Sequence, residues 1–312
     1  MSKIDRILEM AKQKGLKETV KRAMKKIAGI KDFEDEIDSL YFFLNNSIDI
    51  TKFPKATGSL RQLQEADTLL LAIVDKVLRK YNIEYWLDAG TCLGAFRHQG
   101  FIPWDDDLDI CTFREDFNKT ISVLNRECSQ FGINTAADES NPGWRIGVGY
   151  NTQKTGVWLD IFQADFANID ISKQEKIDEL KLQCKEYYKK RRRNNWDIDE
   201  ANAQRIAAVP SICGKNEANA ILYSLESRYS MLLNVDAVLP TKEMQFENFK
   251  FKVPNNTDNY LKKKYGNSYM EFPRWGVNHH ESEQGLIQDW AEKNGVNMEE
   301  VISYLNSVLQ KI

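Results

Sequence analysis

Four aspartates crowd into the five residues Asp105 to Asp109, inside the otherwise apolar run WLDAGTCLGAFRHQGFIPWDDDLDI, Trp86 to Ile110. If Leu108 to Thr112 is a strand entered at Asp105, the side chains of Asp105, Asp107 and Asp109 point to one face. Neighbours two apart on a strand lie roughly 6.5–7 Å from each other. Carboxylates so confined repel one another unless a cation sits between them. A shared divalent ion is the simplest remedy, and such sites perform phosphoryl-transfer chemistry. A solvated acidic turn is the plainer alternative, and the apolar flanks argue against it. An EF-hand is excluded, because Ile110 stands where its glycine belongs and Asp116 where its glutamate belongs.

Two further elements give the acids a context. Tyr85–Ala89 reads as a short strand running into Gly90-Thr91, where a second helical piece, Thr91–Gln99, begins. A helix N-terminus offers free N–H groups to phosphate, and glycine permits close approach. Val157–Phe162 reads as a strand with a lone acid, Asp160, among apolar residues. A carboxylate there needs a partner, and a metal shared with Asp107 and Asp109 would supply one.

The rest of the chain sets these pieces in a fold. Residues 1–30 have helical apolar spacing and a basic opposite face. Such a helix can lie on an anionic membrane surface, or dock against the body or a second subunit. A helical patch surrounds Leu40–Leu44, and KFPKATG reads as a linker. A strong helix follows, with Ser59 and Gln62 as a capping box and Leu60, Leu63, Ala66, Leu70, Val74, Val77 and Tyr81 as its apolar face. A helix is expected over 114–131 and strands over Trp144–Tyr150 and Val157–Phe162. Helices are expected near 172–193 and 216–233, then a hairpin of Glu243–Phe246 and Phe249–Val253, and a terminal helix from Met298 to Leu309. This order predicts an α/β (α+β) mixed sheet with helices packed around it. The predicted parts are a helical extension (1–58), a catalytic core (59–166) and a helical C-terminal region with a hairpin (167–312).

Composition excludes several classes. At 312 residues, 42% hydrophobic and 29% charged, the chain can build a real core. A net charge of −3 gives no pull towards nucleic acid. No 18-residue apolar window suggests a membrane span, and the N-terminus lacks a secretory signal pattern. Five scattered cysteines without a C-x-x-C pair suit a reducing cytoplasm. The paired His279-His280 near Arg274 and Trp275 reads as a loop or a substrate contact, without the cysteines of a zinc site. The cation run Lys189–Arg193 reads as a solvated helix end or an anion contact.

The three elements in order resemble the signature of the nucleotidyltransferase superfamily. The longer runs narrow the likeness. LRQLQ (Leu60–Gln64), the stretch from Tyr85 to Ile110, REDF (Arg114–Phe117) and VWLDIF (Val157–Phe162) resemble the LicD family. That family includes bacterial phosphocholine transferases, with fukutin-related protein a distant relative. FENFKFKVPNNTDNYLKKKYG is also similar to the family pattern; the first 58 residues fall outside it. The resemblance implies a transferase, cytoplasmic or at the inner membrane face, that moves a phosphorylated alcohol from a CDP-linked donor to a cell-surface glycan or lipid-linked glycan. Phosphocholine is the first expectation, with ribitol and glycerol phosphates as alternatives. Implied metal ligands for Mg²⁺ or Mn²⁺ are Asp107, Asp109 and Asp160, with Asp105 assisting. Gly90, Thr91, Arg97 and His98 would hold donor phosphates. Trp104 would line the cytidine or choline pocket, since quaternary ammonium groups favour aromatic faces. Asp88 receives no firm role.

Overall fold

The structure is a computed structural model that describes residues 30–137, 145–194, 196–225, 230–273 and 294–312. Residues 1–29 with their expected basic helix, Trp144, Arg274, Trp275, His279 and His280 lie outside the described residues. The chain forms two compact units. The smaller contains helix α1 (Ile30–Ser47). Its Asn45 side-chain oxygen accepts the Phe272 N–H at 2.6 Å, and the rings of Phe53 and Phe272 meet edge-on at 5.7 Å.

The larger unit opens with α2 (Gly58–Lys80), whose apolar residues recur at helical spacing and are buried from Leu60 to Leu78. Its N-cap is Thr57, which makes no side-chain cap hydrogen bond. The expected Ser59 cap is therefore displaced: Gly58, at φ +61°, turns the chain into the helix earlier. In order then come β1 (Tyr85–Leu87), α3 (Ala89–His98), β2 (Asp109–Phe113), α4 (Phe117–Cys128), β3 (Ile133–Ala137), β4 (Arg145–Tyr150), β5 (Trp158–Ala167), α5 (Gln174–Arg191), α6 (Ile198–Ala208), β6 (Ala220–Tyr223), β7 (Met231–Asn234), β8 (Lys242–Phe246), β9 (Phe249–Val253), α7 (Thr257–Tyr265) and α8 (Met298–Lys311). The fold is α/β. The helix expected over 216–233 is replaced by strands β6 and β7, and α6 and β3 were not foreseen.

Among the described residues, seven strands form a mixed sheet. The long strand β5 organises it. One edge runs parallel to β2, pairing Asp109 with Asp160; β4 and then β6 pair antiparallel with β5. Alternation in β6 sends Ile221 and Tyr223 to the main core and Ala220 and Leu222 to a second core. The main core gathers α2, α4 and α8; the second gathers α5 with the end of α6. This layering places the start of β2 and of β5 side by side, where the acids lie. No described helix is long and apolar enough to cross a membrane.

Candidate active site

The aspartate run is a loop, and only Asp109 belongs to the strand. The expectation that Asp105 and Asp107 alternate along a strand is corrected accordingly. Pro103-Trp104 forms a turn, and the Asp105 N–H donates to the Ile102 carbonyl at 2.9 Å. Gln64, buried on α2, fixes the loop by donating to the Asp105 carbonyl at 2.9 Å. The change has a chemical consequence. A strand sends consecutive side chains to opposite faces, whereas this loop lets three consecutive carboxylates converge. One oxygen each from Asp105, Asp106 and Asp107 lie within 4.8 Å of one another. Hard cations take oxygen ligands at about 2.0–2.6 Å, so this spacing fits a magnesium- or manganese-sized ion. Asp106, which the sequence pattern left without a role, is thus part of the only such group among the described residues.

Asp109 and Asp160 are register partners on β2 and β5. The Asp160 N–H also donates to the Leu108 carbonyl at 2.9 Å. Asp160 is engaged by Arg145, and its Oδ1 accepts the Trp158 indole N–H at 2.7 Å. Arg145 was not singled out in the sequence; it pairs across the sheet from β4. Removal from water pushes the Asp109 carboxyl well above its ordinary range, and Asp107, Asp88 and Asp160 add to the push while Lys264 opposes it. Burial raises the Asp105 carboxyl as well, the charges of Asp107 and Asp106 add to the push, and Arg97 opposes it. Burial also raises Asp160, against Arg145 and the Trp158 indole. Desolvation and mutual repulsion therefore outweigh the nearby cations, so the cluster favours taking up a proton or a bound cation.

The glycine turn faces these acids. A Cβ on Gly90 would lie 2.5 Å from the Asp105 carboxylate, so a larger residue would displace that carboxylate. The Thr91 hydroxyl accepts the Asp109 N–H at 2.8 Å, tying α3 to β2. Asp88 caps α3, accepting the Ala89 N–H at 2.6 Å. Arg97 is buried and donates to the Tyr269 carbonyl at 2.8 Å and to His98 Nε2 at 3.0 Å. Burial pushes Arg97 down to about 10 and, with Arg97 beside it, His98 down to about 4. Trp104 is half-buried against the main core. Lys189–Arg193 ends α5, where Lys189 pairs with Glu186 on the surface. A concavity of about 790 Å³ lined by Phe96, Asn234, Lys242, Val253 and Asn259 holds none of these acids.

A glycine turn at a helix start beside clustered acids is the arrangement of a nucleotidyltransferase domain, and comparison with known proteins agrees. Residues 82–205 match the family model described as LicD/FKTN/FKRP, nucleotidyltransferase domain. The lipopolysaccharide cholinephosphotransferase LicD of Haemophilus influenzae is 38% identical over 80 residues, 24% of this chain and 30% of that protein. Human ribitol-5-phosphate transferase FKTN is 31% identical over 77 residues, 25% of this chain and 14% of that protein. Human ribitol 5-phosphate transferase FKRP is 29% identical over 89 residues, 28% of this chain and 16% of that protein. The chain thus spans less than a third of the length of each of these curated relatives.

Proposed function

We propose that this chain is a metal-dependent transferase that moves a phosphorylated alcohol from a CDP-linked donor to a hydroxyl of a cell-surface glycan, releasing CMP. Phosphocholine is the preferred group, with ribitol or glycerol phosphate as alternatives; capsule, teichoic acid and lipopolysaccharide are the candidate acceptors. The convergence of the Asp105, Asp106 and Asp107 carboxylates beside the Gly90 turn carries this reading. Those three residues would hold Mg²⁺ or Mn²⁺, with Asp109 and Asp160 next to them. A bound divalent ion neutralises the donor diphosphate and favours in-line displacement. Gly90 lets the Asp105 carboxylate close against the start of α3, and the free N–H groups of that helix suit the donor's anionic diphosphate. Thr91 keeps β2 and α3 in register. Arg145 holds Asp160, and a carboxylate, Asp160 or Asp105, takes the acceptor proton.

The test is a thermal-shift and turnover screen with CDP-choline, CDP-ribitol, CDP-glycerol, UDP-sugars and NTPs, with and without Mg²⁺. A ligand at 100 times its Kd adds about 2.7 kcal/mol. We expect a Mg²⁺-dependent shift with one CDP-alcohol and, with water taking the phosphorylated alcohol in place of the glycan hydroxyl, slow CMP release, both lost in Asp107→Asn. A response confined to NTPs or UDP-sugars would replace this reading with a nucleotidyl- or glycosyl-transferase.

A further inference from the structure

The cations around the acids are differently committed. Arg145 is engaged with Asp160, and Arg97 points to the Tyr269 carbonyl and His98. Lys264, in the last turn of α7, lies beyond residues 82–205, within the run FENFKFKVPNNTDNYLKKKYG. Its ammonium donates to Asp88 Oδ1 at 2.6 Å and to the Tyr223 hydroxyl at 3.0 Å, and sits 4.1 Å from the Tyr223 ring centroid. A lysine has three N–H donors, so one remains. The side chain is 13% exposed, enough to meet a ligand.

The cradle beneath it is rigid. Asp88 is wholly buried and accepts the Tyr223 hydroxyl at 2.5 Å, the Tyr260 hydroxyl at 2.5 Å and the Ala89 N–H at 2.6 Å. Its own N–H donates to the Asp109 carbonyl at 2.9 Å. Ala89, at φ +41°, holds a left-handed conformation that costs a non-glycine residue energy. This network fixes that turn, and with it Gly90 and Thr91.

We propose that Lys264 is a phosphate-binding residue of this site, its remaining N–H directed at the diphosphate of the donor, and that Asp88 and Tyr223 are positioning residues that aim it. The identity of the donor rests on the function proposed above; the affinity for a diphosphate does not. The experiment is calorimetric titration of the full chain with inorganic pyrophosphate in Mg²⁺, and separately with CDP-alcohols. Lys264→Met should weaken pyrophosphate binding roughly tenfold or more, the worth of one charge-assisted hydrogen bond. Because that variant leaves Asp88 buried and unpaired, the double variant Asp88→Asn/Lys264→Met, which removes both charges, should fold and show the same loss. Tyr223→Phe should weaken pyrophosphate but leave the affinity for Mg²⁺ alone unchanged, a selective loss that a folding defect does not produce. Wild-type affinity in either folded Lys264 variant, or no pyrophosphate binding by the wild type, overturns the proposal. Lys264-dependent pyrophosphate binding without binding of any CDP-alcohol would uphold the phosphate site and overturn the donor.

Discussion

Asp67 shows how much one side chain near the acids costs the fold. It is 1% exposed on α2. One oxygen accepts the Trp158 N–H at 3.1 Å; Oδ2 has no hydrogen-bond partner. Burial pushes its carboxyl well above 3.8, and Asp107 and Asp106 push it further. The folded chain therefore binds this proton more tightly than the unfolded chain does. Its contribution to stability is complete below the ordinary value and is lost as pH rises through the folded one. Asp67→Asn keeps the acceptor for Trp158 and removes the ionisation. The variant should gain on the wild type as pH rises from about 4, by about 1.4 kcal/mol for each unit spanned. Denaturant midpoints across that range check this, and a gap independent of pH would remove the ionisation argument. The same neighbourhood marks what single residues reveal in a sequence. Asp109 and Asp160 were legible because an acid in an apolar strand demands a partner. The convergence of Asp105, Asp106 and Asp107 was not, because it depends on a loop that Gln64, far away in the chain, holds in place.

Elements are fixed by such distant ties as much as by local pattern. The tip of the β8–β9 hairpin places Glu247 at φ +51°. Its carboxylate accepts Arg61 through two bonds of 3.0 and 2.9 Å, Lys55 at 2.6 Å and the Phe101 N–H at 3.2 Å. A Cβ on Gly100 would lie 2.4 Å from it. The hairpin thus fastens the start of α2 to the loop leading to the aspartates. Burial alone would raise the Glu247 carboxyl, but Arg61 and Lys55 outweigh burial and hold it below 4.5. Its stabilising contribution is therefore present above that value and lost as pH falls through the folded one. Glu247→Gln should cost about 3 kcal/mol at neutral pH, with the gap closing in acid; a gap that persists in acid would show that shape, not charge, holds the loop. The hairpin and α2 were legible from alternation and helical period. Strands β6 and β7 were not: Ala220–Tyr223 is buried on both faces and reads as a continuous apolar run, which fits a helix equally. Its register with β5, Asp165 against Leu222, spans a separation that no local pattern reports.

Across the whole larger unit, β5 joins the acid site to the second core. Its first half carries Asp160 and its second half Asp165. Asp165 is buried and meets two buried arginines, Arg114 just before α4 and Arg205 on α6. Arg114 Nε lies 3.1 Å from both carboxylate oxygens. One carboxylate thus ties the turn after β2 to a helix of the second core, across the sheet. A buried ion pair contributes little over an apolar replacement, because desolvation offsets attraction, yet removing one partner strands the other. Asp165→Asn would remove the buried carboxylate that the two guanidinium groups share. It should cost about 3–5 kcal/mol in urea unfolding. Arg205→Met frees the second core from that tie while Arg114 still balances Asp165, so it should cost less than Asp165→Asn. Equal losses in the two variants would mean that the tie between the cores, and not the buried charge, is what Asp165 provides.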